Sequence, residues 1–156
     1  MRKIIFIVLT LSFFCFSAYA LDTKIVGMRN KFFEESKAIK TLLADSKDMI
    51  LLNSMWDSCI MTMTQLDAYF SMVGIFNTIK KETLTEEAIN YITNWLEAIK
   101  KTNDLNIKSL NAITNPVEPK TKIHMEKLRG YFNDLNNQIN TELNKISIIK
   151  KSLKTR

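Results

Sequence analysis

Residues that break helices are scarce in this chain, and this scarcity constrains the fold more than any other feature of the sequence. The 156 residues include only three glycines and two prolines. Sandwiches and barrels need many tight turns, whose special backbone conformations are supplied mainly by Gly, Pro and Asn. The glycines, at positions 27, 74 and 130, also lie too far apart to form a phosphate-cradling loop. We therefore expect long helices joined by short connections.

The N-terminus has the pattern of a secretory signal peptide. Arg2 and Lys3 precede an apolar run over residues 4–16, and Ala18 and Ala20 supply small side chains at the −3 and −1 positions of a cleavage site. The apolar run is shorter than the roughly 20 residues that a membrane-spanning helix usually needs. We expect cleavage after Ala20, which leaves no stable transmembrane span.

The mature chain, residues 21–156, is then an exported protein of one domain, either periplasmic or extracellular. Removal of residues 1–20 takes away Cys15 and leaves Cys59 as the only thiol. An internal disulfide is therefore excluded, and a lone Cys in an exported protein is either a buried apolar residue or an intermolecular link.

Apolar side chains recur at alternating spacings of three and four, which is the period of helices that pack side by side in near-parallel or coiled-coil fashion. Asn115–Pro119, which holds both prolines, is the strongest break in this pattern, and Thr83 and Glu86 form a capping box before another helix. Short connections between long helices favour an all-α, antiparallel up-down four-helix bundle. The predicted helices cover residues 22–44, 49–80, 85–113 and 120–153.

The second predicted helix is apolar on most of its circumference. Its seam runs through Met49, Leu52, Trp56, Cys59, Met63, Leu66, Phe70 and Val73, and many further apolar residues lie off this seam. Because a four-helix core covers only part of each helix, such a helix is expected either to be buried on most sides or to present an apolar patch to a partner. The candidate interaction surface consists of Trp56, Ile60, Met63, Tyr69, Phe70, Met72 and Phe76.

Positive charge is concentrated near the C-terminus. Residues 120–156 contain nine basic and three acidic side chains, whereas residues 21–119 contain 11 basic and 13 acidic ones. A solvated helix face explains this excess simply, and contact with an anionic envelope surface is the functional alternative. Nucleic acid is not expected as a partner of an exported chain. The candidate basic surface consists of Lys145, Lys150, Lys151, Lys154 and Arg156.

Residues suited to catalysis or metal binding are few. His124 is the only histidine, so the paired Glu-x-x-His motifs of di-iron bundles are absent, as are zinc-site patterns. Met49, Met55 and Met125 are expected at the same end of the bundle as His124, which leaves a Cu(I) site as an alternative to ordinary core packing. We predict no enzyme, no catalytic residue and no cofactor.

Two functional hypotheses remain. The first is a non-enzymatic interaction protein whose second helix contacts an unknown protein partner or a second copy of the chain. The second is a carrier or sensor for a small ligand or metal, which requires an apolar or Met/His-lined site inside the bundle next to Trp56 or His124.

Two local features of the sequence lead to further predictions. The polar stretch Lys100–Asp104 interrupts the apolar pattern of the third helix, and we expect a kink or a frayed turn there. Gly27, Gly74 and Gly130 fall inside helical patterns, where Gly is unfavourable, and we expect them to mark close approaches between helices.

Export can be tested at the predicted cleavage site. Ala18→Arg places a long charged side chain at the −3 position, and we expect the chain to keep residues 1–20. Tyr19→Ser at the intervening position is the matched control and should still yield a protein that begins at Leu21. Intact mass and N-terminal sequencing of the cell-envelope and exterior fractions distinguish the two products. An unprocessed wild-type chain would contradict the prediction.

Overall fold

Four helices and no strand make up the part of the chain that the computed structural model describes, residues 24–78 and 86–154. Helix α1 covers residues 24–42, and the others are α2 (Met49–Thr78), α3 (Glu86–Asn111) and α4 (Pro119–Lys154). The all-helical class is confirmed, and the arrangement is consistent with a four-helix bundle. The predicted signal peptide and Thr83 lie outside the described residues.

The connections at one end of the molecule are tied together by hydrogen bonds. Ser46 Oγ donates to Glu118 Oε2 at 2.6 Å, and the backbone N–H of Glu118 donates to Asp48 Oδ2 at 2.7 Å. The carbonyl oxygens of Asp48 and Glu118 accept the first backbone bonds of α2 and α4. Pro119 occupies the first position of α4. A backbone N–H at this position would have no acceptor within the helix, so the lack of an N–H in proline costs no hydrogen bond. The loop α1–α2 and the loop α3–α4 therefore stabilise each other.

Pairs of side chains show how neighbouring helices run past each other. Between α3 and α4, Lys100 Nζ donates to Asn140 Oδ1 at 2.8 Å, whereas Arg129 Nη2 donates to the carbonyl of Leu110 at 3.0 Å. Lower numbers on α3 thus meet higher numbers on α4. The carbonyl of Leu110 lies in the last turn of α3, where no backbone N–H of the same helix can donate to it. The bond from Arg129 therefore satisfies this carbonyl.

One continuous apolar core lies between the helices. All four contribute side chains to it, and the innermost ones have almost no exposed surface. Each such Leu, Ile or Phe stabilises the fold by about 1.5 to 3 kcal/mol through removal of apolar area from water. The largest fully buried side chains are Tyr69, Phe32, Phe132, Ile25, Ile39, Leu52, Met55, Leu66, Leu96, Ile99, Leu128 and Leu135.

The buried seam of α2 keeps the predicted residues Leu52, Cys59, Met63, Leu66 and Val73, but Met55 and Tyr69 are buried in place of Trp56 and Phe70, and Met49 is exposed. Its buried residues are Leu52, Met55, Cys59, Thr62, Leu66, Tyr69 and Val73, with Met63 beside them. Trp56 and Phe70 pack against the core from the side and keep part of their surface exposed. The predicted seam and the buried seam both follow alternating spacings of three and four residues. The packing of the other helices therefore decides which of the two is buried. Thr62 fits inside because its hydroxyl donates to the carbonyl of Ser58 at 2.8 Å.

The structure has neither the frayed turn expected in α3 nor the close helix approaches expected at the glycines. Helix α3 is continuous through Lys100–Asp104, because Asn103 is fully buried and its amide bonds to Asn136 on α4 instead of breaking the helix. The glycines do not mark close approaches, since a Cβ added at position 27, 74 or 130 would meet no atom within 4 Å. Each of these glycines keeps ordinary helical backbone angles.

Gly130 offers a test of this open space. Gly130→Ala adds a methyl group that touches nothing and removes conformational freedom from the unfolded chain, so we expect the free energy of unfolding to rise by about 0.5 to 1 kcal/mol. Urea denaturation followed by circular dichroism measures the change. Ala98→Gly, on the exposed side of α3, is the control and should lower stability by a similar amount. A loss of stability in Gly130→Ala would mean that a neighbouring helix contacts the added methyl group.

Candidate functional site

Burial divides the predicted interaction surface into three groups. Met63 and Tyr69 are 7% and 1% exposed and lie in the core. Trp56, Phe70 and Met72 are half-buried at the edge of the core, and Ile60 is 37% exposed. The side chain of Phe76 lies outside the described part. Trp56 and Ile60 are thus the members that combine exposure with a large apolar side chain at the same face of α2.

Helix α1 completes this face, which the sequence analysis assigned to α2 alone. Phe33 is 42% exposed, and Lys37 Nζ lies 4.6 Å from the centre of its ring. Lys40 Nζ lies 5.5 Å from the centre of the Trp56 ring. We call Phe33, Lys37 and Lys40 of α1, with Trp56 and Ile60 of α2, the α1–α2 strip.

An ion pair continues the α1–α2 strip at its far end. Arg29 Nε donates to Asp67 Oδ1 at 2.6 Å, and Arg29 Nη2 donates to Asp67 Oδ2 at 3.0 Å. This bidentate contact raises the pKa of the Arg29 guanidinium. Positions 29, 33, 37 and 40 share one face of α1, because residues three and four apart are neighbours on a helix. This spacing is the feature of the sequence that indicates a contribution of α1 to the α1–α2 strip.

Two lysines border the apolar side chains of the α1–α2 strip, and one of them, Lys37, pairs with Glu34 Oε1 at 3.1 Å. Residues 24–42 contain five basic side chains and two acidic ones, and one of the two acids, Glu35, is buried. Aromatic faces attract cations through their negative quadrupole, so Lys37 and Lys40 are held beside the rings that they cover.

Glu35 and His124 form a polar contact inside the bundle that was not predicted from the sequence. Glu35 is 4% exposed; one of its oxygens bonds to His124 Nδ1, and the other lies 3.7 Å from Lys127 Nζ. The signal was present in the spacing. Phe32 and Ile39 lie seven residues apart in the seam of α1, and Glu35 occupies the seam position between them.

Cys59 is a core residue. It is fully buried in α2, and burial together with the negative charge of Glu35 raises the pKa of its thiol to about 12. The thiol is therefore neutral at physiological pH and has little nucleophilic character. Met55 and Met125 are also buried in the core, whereas Met49 is 53% exposed.

The predicted basic surface is partly neutralised. Lys145 Nζ pairs with Glu142 Oε1 at 2.7 Å, and Lys150 Nζ lies 3.3 Å from Glu86 Oε1. Lys151 is exposed, while the side chain of Lys154 and all of Arg156 lie outside the described residues. The Lys150–Glu86 pair lies at the surface and contributes little to stability, whereas Glu142 is buried, and both pairs reduce the charge available to an anionic surface.

The structure contains a cleft of about 530 Å³ between the first half of α2, the end of α3 and the loop that follows it. Met55 lines this cleft, whereas Trp56 and His124 do not. In the described ranges, no three His, Cys, Asp or Glu side chains group in a way that could hold a metal ion. Nor does any helix in residues 24–78 and 86–154 have the length and apolarity needed to cross a membrane.

Comparison with known proteins gives no assignment. No protein-family model matches the chain, and no curated protein or solved structure matches it either. Function is therefore argued from the surface, the buried polar groups and the cleft.

The Glu35–His124 contact can be tested by a double-mutant cycle. His124→Leu leaves a buried carboxylate with only Lys127 nearby, and we expect the free energy of unfolding to fall by about 2 to 3 kcal/mol. Glu35→Leu combined with His124→Leu should cost less than the two single changes added together, because neither partner is then left unpaired. Lys37→Ala, which removes an exposed contact with Glu34, is the control and should change stability by less than about 0.5 kcal/mol. Additive losses in the cycle would contradict a direct interaction.

Proposed function

We propose that this protein is an exported, non-enzymatic helical bundle that acts by protein–protein interaction, and that the α1–α2 strip is its contact surface. The observation that carries the proposal is the placement of Phe33 and Ile60, which are 42% and 37% exposed, and of the half-buried Trp56, beside two lysines. Exposed apolar groups with a polar margin are typical of interaction sites.

The residue types in the α1–α2 strip suit a contact with another protein. Trp is enriched among the residues that contribute most to binding energy, and aromatic residues are enriched at the centres of interfaces, where they are shielded from water. Lys40 at the margin would steer an acidic partner and favour the correct orientation, whereas Lys37 is already paired with Glu34. The partner is either an unknown protein or a second copy of the chain.

The surroundings of His124 and Cys59, the two most reactive side chains of the described residues, support a non-enzymatic function. His124 is held against the buried carboxylate of Glu35, and Cys59 is a neutral thiol in the core. A catalytic base or nucleophile must instead reach a substrate in an accessible cleft. Each of these groups is accounted for by packing or by a structural hydrogen bond.

The finer architecture and the location are part of the same proposal. The pairing of low with high residue numbers between neighbouring helices supports an antiparallel up-down order. The basic, apolar and small-residue segments of residues 1–20 support export by a cleaved signal peptide. Binding of the C-terminal lysines to an anionic envelope surface is a secondary part of the proposal, which the ion pairs of Lys145 and Lys150 weaken.

The contact surface is tested with Phe33→Glu combined with Ile60→Lys. Both side chains are exposed, so the double variant should fold, yet it interrupts the apolar centre of the α1–α2 strip. The wild-type full chain, expressed with its own leader, is used as bait on a cell-envelope extract and is analysed alone by sedimentation velocity between 1 and 100 µM. We expect either a partner captured by the wild type or concentration-dependent dimerisation, reduced at least tenfold in the double variant.

The control is Leu105→Glu combined with Ile148→Lys, which places the same charges at exposed apolar positions on α3 and α4. It should behave as the wild type does. A wild-type protein that stays monomeric and captures nothing, or a loss that is equal in both double variants, would overturn the proposed surface.

A further inference from the structure

We infer that two copies of this protein form a dimer in which the outer side of α2 packs antiparallel against α2 of the second copy. The contact is made by a row of side chains along this helix, of which all but one are exposed. We call it the α2 row, and it consists of Ser54, Asp57, Met61, Thr64, Ala68, Ser71 and Ile75. The α2 row shares no residue with the α1–α2 strip, so this inference does not depend on the contact proposed there.

The outer side of α2 carries little charge for a helix surface that faces water. Residues 49–75 include twelve exposed positions, and only Asp57 and Asp67 among them are charged. Helix α3 also has twelve exposed positions, and six of those are charged. Met61 and Ile75 of the α2 row are 45% and 61% exposed. Exposed apolar side chains without a charged surround are typical of a surface that another protein covers.

The spacing of the α2 row suits a second helix. Its members recur at alternating intervals of three and four residues, which is the repeat by which two helices pack side by side over several turns. A twofold axis requires this surface to match its own reverse, since the same residues contact each other from both copies. With the axis at Thr64, residues whose numbers add to 128 or 129 face each other.

This register places a large side chain opposite a small one at each level away from the axis. The facing pairs are Met61 with Ala68, Ile75 with Ser54, and Asp57 with Ser71 of the second copy. Alternation of large and small side chains across a contact lets them interdigitate, so the two helices approach closely. An unrelated partner would not require the row to complement itself, and for this reason we infer a second copy.

Polar groups of the α2 row are compatible with burial at such a contact. Thr64 Oγ1 donates to the carbonyl of Ile60 at 3.0 Å, and Ser71 Oγ donates to the carbonyl of Asp67 at 2.9 Å. Both hydroxyls therefore keep a hydrogen bond when the second copy covers them. The two copies of Asp57 lie on opposite sides of the axis, about 20 Å apart along the helices at 1.5 Å per residue. Salt screens exposed charges beyond roughly 8 Å, so their repulsion is weak.

Cross-linking of engineered cysteines locates the twofold axis. The full chain carries Cys15→Ala, and Cys59 is kept because its side chain is fully buried. We expect Thr64→Cys to form disulfide-linked dimers on oxidation with copper phenanthroline, because position 64 faces itself. Ser54→Cys and Ile75→Cys should each cross-link slowly when alone and at least tenfold faster when mixed. Electrophoresis without reductant measures the rates.

Self-association is measured by sedimentation velocity of the full chain between 1 and 100 µM. We expect Ala68→Glu, which puts a large charged side chain opposite Met61, to weaken the dimer at least tenfold. Ala98→Glu, at an exposed position of α3, is the matched control and should associate as the wild type does. Circular dichroism confirms that each variant is folded.

Three results would overturn the inference. The first is a wild-type protein that stays monomeric at 100 µM. The second is association that Ala68→Glu leaves unchanged, or that Ala98→Glu weakens equally. The third is cross-linking through Phe33→Cys but not through Thr64→Cys, which would assign the dimer to the α1–α2 strip and support the proposed function instead. Capture of a partner from the cell-envelope extract tests the strip alone, so the two proposals can fail separately.

Discussion

Burial of one seam of side chains from each helix is the constraint on which the rest of this structure depends. Long helices with few turn residues cannot bury their own apolar faces, so each must pack against the others. The seams meet in a single core that includes Phe32, Leu66, Leu96 and Phe132. Everything that distinguishes the molecule, including its exposed surface and its cleft, follows from which apolar side chains that core accommodates and which it leaves outside.

Polar groups inside the seams select one arrangement of the helices among several that the apolar pattern allows. Asn103 Nδ2 donates to Asn136 Oδ1 at 3.0 Å, and Asn136 Nδ2 donates to Asp104 Oδ1 at 2.7 Å. Sliding α3 along α4 would separate these amides and leave them buried without partners, at a cost of about 1 to 3 kcal/mol each. The contact of Glu35 with His124 sets the position of α1 against α4 in the same way. Buried Asn residues are known to specify register in coiled coils, and the same logic applies here.

The two surfaces with functional potential lie on different sides of α2. The α1–α2 strip collects apolar side chains that the core does not cover, together with the lysines of α1. The cleft forms on the other side, where the end of α3 turns into the proline-containing loop.

The sequence by itself determined the helical class, the positions of the long helices and the firm break at Asn115–Pro119, because these depend on local periodicity and on the backbone limits of Pro. It also identified Trp56 and Ile60 as surface candidates. Only the tertiary structure decided that Met55 and Tyr69 fill the core while Trp56 and Phe70 lie at its edge, because both pairs satisfy the same helical spacing and only the neighbouring helices distinguish them. The burial of Glu35 beside His124, the contribution of α1 to the exposed strip and the cleft beside Asn106 were likewise decided by contacts between residues far apart in the chain, which no local pattern encodes.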